Sequence, residues 1–265
     1  MKPKKAPENR YAALIEDIFL MGYKKGASEI TFRRDDLLES AKKLRIDLPK
    51  NIGDAIYAIR YRMSMPARIA KTQPTGKVWI IEGRGRSLYA FRLVTNDRIV
   101  PNGQLAPIKI PDATPEIVTA YALSDEQALL AKVRYNRLLD IFLGVAAYSL
   151  QNHLRTAVAN MGQVEIDEVY VAVDKRGRQY ILPVQAKGGN DRLSTVQTMQ
   201  DLACCAEKFP LLVCRAISAQ FMDDDVIALF ELGMSAGDVR ILEERHYKLV
   251  PADRISREDL QSYDL

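Results

Sequence analysis

The sequence predicts an α/β protein in two parts, a smaller α+β domain followed by a mixed sheet flanked by helices. Apolar residues recur at helical spacing in some segments and follow strand patterns in others. Of the 265 residues, 48% are hydrophobic, which is enough for two modest cores. A stretch containing Pro101, Pro107 and Pro111 separates them. We therefore predict domains over residues 1–95 and 121–265, joined by a linker over residues 96–120.

The N-terminal part alternates helices with short strands. Its predicted elements, in chain order, are a helix over 11–23, a strand over 29–32, helices over 35–44 and 51–63, and strands over 79–82 and 87–91. The last two strands are joined by Gly83-Arg84-Gly85-Arg86. Three helices followed by a basic β-hairpin resemble a winged helix, in which the third helix enters the major groove of DNA and the hairpin lies along the backbone.

This resemblance implies four DNA-binding residues, Arg60 and Arg62 on the third helix and Arg84 and Arg86 at the hairpin tip. The charge distribution agrees with it. Residues 1–95 carry 20 Lys or Arg and 10 Asp or Glu, a net charge of +10, and because the whole chain carries +4, the remainder carries −6. Basic residues along phosphates release counterions and favour a polyanionic partner such as double-stranded DNA. The alternative is a charged, solvated helix and an ordinary hairpin.

The C-terminal part begins with a capping box from Ser124 to Gln127, which starts a helix. We expect this helical region to continue, with a break near Gly144, to Ala159. Two strands follow, then a helix over residues 195–208 and a core strand over residues 211–217. The order helix, strand, strand, helix and strand fits an α/β core.

The two central strands carry the most informative residues. Strand alternation places Glu165 and Asp167 on one face, and Gln185 and Lys187 likewise share a face. The intervening turn, residues 174–178, has a glycine where a hairpin requires a positive φ. We therefore predict an antiparallel hairpin that brings the two polar pairs together.

A carboxylate, an amide oxygen and an ammonium group at one point suit phosphodiester hydrolysis. Asp167 can hold Mg²⁺, and Gln185 can add a neutral carbonyl ligand. Lys187 can orient or deprotonate the attacking water and offset developing charge. Taken singly, a carboxylate on a solvated strand face or a lysine at a strand end is unremarkable. Gln185 favours the functional interpretation, because an unpartnered polar side chain in an apolar strand is costly.

These residues resemble the PD-(D/E)XK restriction-like nucleases, in which an acidic residue on one strand is followed by (Glu/Asp/Gln)-x-Lys on the next. The Gln form is similar to that of Mrr-type catalytic domains. The resemblance covers roughly residues 125–220. It implies a restriction-endonuclease-like sheet, catalytic residues Asp167, Gln185 and Lys187, and Mg²⁺ held by Asp167 and Gln185. Glu165 and Gln200 are further candidates for the active site. Gln185 stands where Glu is usual, which predicts weaker metal binding.

The predicted function is therefore that of a Mg²⁺-dependent DNA endonuclease of restriction type. The alternative is a DNA-binding regulator or assembly protein whose nuclease-like domain is inactive, and Gln185 keeps that alternative open. The sequence leaves open the recognition site, the dependence on methylated bases and whether two chains assemble as a homodimer.

The remaining features concern the cellular setting and the histidines. Cys204, Cys205 and Cys214 are odd in number and lack metal-ligand spacing, which predicts reduced thiols in a cytoplasmic protein. The longest apolar run, residues 141–147, is too short to cross a bilayer, so no membrane partner is expected. We expect His153 to be a helix-surface or packing residue and not a base, because the hydrolytic scheme needs no imidazole, and we expect His246 in solvent.

Overall fold

The computed structural model describes residues 10–48, 52–57, 60, 64–121, 126–188 and 191–263. The protein is mixed α/β and contains a large, mostly antiparallel eight-stranded sheet flanked by helices. The chain divides into two compact units. Unit 1 comprises Met1–Asp97 with Ala157–Gly162, and unit 2 comprises Arg98–Thr156 with Gln163–Leu265.

Unit 1 is built on a three-stranded sheet. Its elements are α1 (Arg10–Gly22), β1 (Glu29–Arg33), α2 (Arg34–Leu44), α3 (Ile52–Tyr57), α4 (Ala67–Ala70), β2 (Val78–Gly83) and β3 (Leu88–Val94). The strands are antiparallel in the order β1-β3-β2. The apolar face of α1 is buried, and the Phe19 ring packs edge-on against Trp79 and Phe91, with centroids 5.1 Å apart in each pair. This aromatic cluster anchors the core of unit 1.

Unit 2 contains the eight-stranded sheet. Its elements are β4 (Arg98–Ile99), β5 (Ile108–Pro111), α5 (Glu116–Tyr121), α6 (Glu126–Tyr135), α7 (Leu138–Leu143), β6 (Ala146–Val158), β7 (Gly162–Val173), β8 (Gln179–Lys187), β9 (Leu193–Ser194), α8 (Thr195–Lys208), β10 (Val213–Cys214), β11 (Ala216–Phe221), β12 (Val226–Ser235), β13 (Asp238–Val250) and α9 (Arg257–Ser262), with 3₁₀ helices at Asp223–Asp225 and Ala252–Arg254. The sheet order is β5-β13-β12-β11-β8-β7-β6, and β10 also pairs with β8. No helix within the described ranges is both long and apolar enough to cross a membrane.

Strand β8 lies in the middle of this sheet and is buried from Tyr180 to Ala186. β7 pairs with it antiparallel on one side, and β11 pairs with it parallel on the other. A parallel pair requires a crossover connection, which α8 supplies. The residues at the C-terminal end of β8 therefore pair with β11, and α8 follows closely.

The predicted hairpin turn forms between β7 and β8. Asp174 N donates to Arg178 O (3.1 Å), and Gly177 N donates to Asp174 O (3.0 Å). Gly177 has a φ of 78°, the left-handed conformation that glycine adopts without strain. The side chain of Asp174 closes the turn further by accepting from the backbone N–H groups of Arg176 and Arg178.

The helical region predicted to reach Ala159 is wrong beyond Leu143. Gly144, with a φ of 64°, ends α7, and the chain continues as strand β6, which also contains His153. β6 is an edge strand, and most of its residues face solvent, so it lacks the apolar alternation that identifies a strand. The predicted capping residues Ser124 and Asp125 lie outside the described residues, and α6 begins at Glu126.

The segment predicted as a linker, residues 96–120, contains regular structure. β4 pairs with β9, and β5 is an edge strand of the large sheet, parallel to β13. The two units divide at Asp97 and Arg98, close to the start of that segment. The prolines of this segment argue against a strand, so the sequence does not indicate β5. Pro111 is nevertheless accommodated because it lies at the end of a strand on the sheet edge, where a missing N–H is tolerated.

Candidate active site

β7 and β8 separate at the end of the hairpin that carries the predicted catalytic residues. Their backbone ladder ends one residue short of Asp167. Beyond that point, side chains bond to the backbone of the facing strand. Ala186 N donates to Asp167 Oδ2 (2.8 Å), and Gln185 Nε2 donates to Glu165 O (3.0 Å). The two side chains therefore occupy the gap between the strands.

Asp167 is partly buried, and this burial raises the pKa of its carboxyl group above the ordinary value. The charges of Glu126 and Glu165 add to the rise, whereas the Ala186 amide and the Lys187 ammonium group oppose it. Asp167 is thus within electrostatic reach of three charged side chains. A bound cation would favour its ionised form.

Gln185 is almost completely buried, with 2% of its surface exposed. Its Nε2 donates to Glu165 O and also to Asp201 Oδ1 on α8, each at 3.0 Å. Its Oε1 is buried and has no hydrogen-bond partner within the described part of the chain. A buried carbonyl without a donor is costly, and an oxygen ligand of a cation is one arrangement that satisfies it.

Lys187 ends β8 beside the first residue of α6. Its Nζ lies 2.7 Å from Glu126 Oε1. Burial alone would lower the pKa of Lys187, but the bond to Glu126 and the charges of Asp167, Glu126 and Asp191 outweigh it, so the pKa is raised. Lys187 therefore stays protonated at neutral pH, which favours charge stabilisation over proton abstraction.

The two further candidates differ in their surroundings. Glu165 is half-exposed, and its Oε1 pairs with His153 Nε2 and Arg155 on β6, each at 3.0 Å. Its charge nevertheless contributes to the raised pKa of Asp167. Gln200 is buried on α8, and the side chain that contacts Gln185 is its neighbour, Asp201.

Sequence reasoning missed the roles of Glu126 and Asp201. The sequence identifies Glu126 only as part of a capping box, whereas in the structure it holds the Lys187 ammonium group. Asp201 is 2% exposed, and burial raises its pKa well above the ordinary value, with Asp167 adding to the rise. The sequence signal for Asp201 is that it is an acid on the same helix face as Cys204 and Cys205, which is the buried face of α8. A carboxyl group is rarely buried without a partner.

The oxygen atoms at this site suit a hard divalent cation. Asp167 and Glu126 supply carboxylates, and Gln185 Oε1 is an amide oxygen that lacks a donor. Within the ranges that the structure covers, no group of three or more His, Cys, Asp or Glu side chains is placed to hold a metal ion. The fit therefore depends on the amide oxygen of Gln185 as well as on carboxylates.

The DNA-binding candidates of unit 1 lie in unequal environments. Arg60 is partly buried, and its Nε donates to Ile81 O (3.1 Å). Arg84 pairs with Glu29 and with Glu82, the latter at 2.7 Å. Arg86 is exposed at the hairpin tip. The fourth candidate, Arg62, lies outside the described residues.

His246, which we expected in solvent, is buried, with 2% of its surface exposed. Its Nε2 lies 2.8 Å from Glu244 Oε1, which also accepts from Asn102 N (2.7 Å). The expectation was wrong because His246 lies within β13, opposite Ala228 in the sheet, and not in a solvated segment.

Comparisons of the chain with protein-family models, with curated proteins and with solved structures found no match in any of the three.

Proposed function

We propose that this chain is a Mg²⁺-dependent endonuclease that hydrolyses DNA phosphodiester bonds and is of restriction type. The observation that carries the proposal is the separation of β7 and β8, which holds Asp167 and Gln185 in one gap, with Lys187 at its edge. An acid that faces Gln-x-Lys across an antiparallel hairpin is what a PD-(D/E)XK-type site requires.

The order of elements in unit 2 supports this proposal. α6 and α7 precede the strands β6, β7 and β8, and α8 then crosses over to β11, which lies parallel to β8. We propose that these elements form the restriction-endonuclease-like core that the resemblance implies. β12, β13 and β5 extend the sheet beyond β11.

The chemistry follows from the charges at the site. Asp167 and Gln185 Oε1 would hold Mg²⁺, which when bound supplies an electrophile for the phosphate and a more acidic water. The Lys187 ammonium group offsets the negative charge that develops on the phosphate during hydrolysis. Glu126 holds that ammonium group in place and keeps it protonated. We assign Lys187 an electrostatic role for this reason.

We propose further that unit 1 binds duplex DNA as a winged-helix-like domain. The order α1, β1, α2, α3, α4, β2, β3, with strands arranged β1-β3-β2, supports this assignment. The net charge of +10 over residues 1–95 favours a polyanion. Cys204, Cys205 and Cys214 are free thiols, which agrees with the reducing cytoplasm that we propose as the protein's location.

Incubation of the purified protein with supercoiled plasmid, with Mg²⁺ or with a chelator, tests the nuclease proposal. We expect nicked or linear product only with Mg²⁺, and none from Asp167→Ala. If the wild-type protein binds DNA but does not cut it at any Mg²⁺ or Mn²⁺ concentration, the DNA-binding regulator with an inactive domain becomes the better assignment. Light scattering, with and without DNA, decides whether a homodimer forms.

A further inference from the structure

We infer that Asp201 is a positioning residue that fixes the orientation of the Gln185 amide and so leaves Gln185 Oε1 as the group available to a cation. The catalytic consequence of this role rests on the proposed nuclease function. The structural part of the inference, the orientation of the amide, stands on hydrogen bonds alone.

The orientation follows from the two acceptors around Gln185 Nε2. Glu165 O, 3.0 Å away, is a backbone carbonyl and can only accept. Asp201 Oδ1 accepts at the same distance from another direction. A flipped amide would place Oε1 against the carbonyl of Glu165, so two acceptors would face each other. The fold therefore selects one of the two amide orientations.

The other polar atom of this amide is Oε1, the atom that a cation could contact. Gln185 Oε1 is buried and has no partner in the described part of the chain. Gln185 lies in an interior strand of the sheet, and Lys187, two residues along β8, interacts electrostatically with Asp167. A structure that satisfies one end of an amide twice and leaves the other end unsatisfied is arranged for a ligand at that other end.

α8 places Asp201 on its buried face, within hydrogen-bond distance of Gln185. The helix begins with an N-cap at Ser194, whose Oγ accepts from Val196 N (3.3 Å). Asp201 lies in the second turn, 2% exposed, and the following Cys204 and Cys205 are also buried. The carboxyl group therefore lies on the buried face of the helix, shielded from solvent. Residues that orient a metal ligand in this way typically change metal affinity when they are removed.

A matched pair of substitutions tests the inference. Asp201→Asn keeps an acceptor oxygen of the same shape, whereas Asp201→Leu removes the acceptor at similar volume. Glu207→Gln on the exposed face of α8 is the control. Mg²⁺ binding is measured by calorimetry on the full chain without DNA, and folding by circular dichroism. We expect Asp201→Leu to weaken Mg²⁺ binding by about tenfold or more, as outer-shell changes do, and Asp201→Asn to stay near wild type.

A second measurement keeps the inference separate from the nuclease proposal. Hydrogen exchange of the Gln185 side-chain amide, observed by NMR, should be slow in the wild type and in Asp201→Asn and faster in Asp201→Leu, whether or not the protein cuts DNA. Exchange that is equally slow in Asp201→Leu would overturn the inference, and so would equal damage to Mg²⁺ binding by both variants. Absence of Mg²⁺ binding by the wild type, with the exchange pattern as expected, would overturn the catalytic role and the proposed function and leave the positioning of the amide standing.

Discussion

Lys187 Nζ lies 2.7 Å from Glu126 Oε1, so the cation at the end of β8 is held by the first residue of α6. This pair joins two elements that are 61 residues apart in the chain. It also raises the pKa of Lys187 despite partial burial. The ammonium group is therefore both fixed in position and kept charged, the two properties that stabilisation of a phosphate requires.

Glu126→Gln is expected to lower DNA cleavage by roughly tenfold to a hundredfold, the usual cost of removing a residue that orients a catalytic group. The variant loses the charge that raises the pKa of Lys187. The ammonium group should therefore lose its proton earlier as the pH rises, and cleavage should begin to decline at a lower pH than in the wild type. A pH–rate profile of plasmid cleavage measures both effects. Glu116→Gln, at the exposed start of α5, is the control. Wild-type rates from Glu126→Gln across the profile would contradict this role.

Asp167→Ala and Lys187→Ala should each reduce cleavage by about a hundredfold or more, as removal of a transition-state-stabilising group does. Both variants should retain DNA binding, because the proposed reader is unit 1. Lys208→Ala, which removes an exposed ammonium group from α8, serves as the control. Single-turnover cleavage and gel-shift assays measure the two properties. Unchanged cutting by either active-site variant would end the assignment.

Gln185→Glu should destabilise the protein by about 1–3 kcal/mol, since a carboxylate oxygen would replace the donor that faces Glu165 O and Asp201. Adding Asp201→Asn should recover part of this loss, because the new amide can donate to the carboxylate. Urea denaturation of both variants and of Asp201→Asn alone supplies the comparison. A single Gln185→Glu variant as stable as the wild type would show that the amide is not held as described.

The hairpin and its polar end were predictable because strand alternation decides which side chains share a face. The structure follows that alternation, with Val164 and Ile166 buried and Glu165 exposed. Glu126 and Asp201 were not predictable as site residues. Their partners on β8 lie 61 and 16 residues away, and such contacts depend on how helices pack against the sheet, which local periodicity does not encode.

β5 and β6 are the two strands that local sequence patterns do not indicate. The sequence predicts a helix at β6 because an edge strand whose residues mostly face solvent carries little apolar signal. β5 is not identifiable as a strand from its own sequence because its pairing partner, β13, lies far along the chain, with Tyr247 opposite Ile108. In both segments, tertiary pairing and not local preference determines the strand.

Arg86→Ala should weaken binding to all duplex sequences to a similar extent and reduce the salt dependence of binding, because a hairpin tip contacts phosphates and not base edges. Arg84→Ala should weaken binding less, since Arg84 is already paired with Glu29 and Glu82. Fluorescence anisotropy with two unrelated duplexes over a salt series measures both variants. Lys71→Ala, also in unit 1, is a control for the loss of one positive charge. A larger loss from Arg84→Ala than from Arg86→Ala would reverse the assignment.

Asp112, which follows β5, affects the stability of the fold in acid. Its Oδ1 accepts from Thr114 N (2.8 Å) and from Asn136 Nδ2 (3.4 Å). Partial burial would raise the pKa of Asp112, but the hydrogen bonds from the side chain and backbone of Thr114 and from Asn136, together with the charge of Lys132, outweigh it, so the pKa is lowered. An acid whose pKa is lower in the folded state stabilises the fold above its ordinary pKa, and that contribution is lost as the pH falls through the folded value.

The wild type should therefore lose more stability between neutral pH and about pH 3, below the ordinary aspartate pKa, than Asp112→Asn, which accepts the same bonds without titrating. Thermal melts across that range measure the difference, and Asp253→Asn in an exposed 3₁₀ helix controls for the general loss of a carboxylate. Parallel pH dependence of the wild type and Asp112→Asn would mean that the bonds from Thr114 and Asn136 do not favour the charged carboxylate.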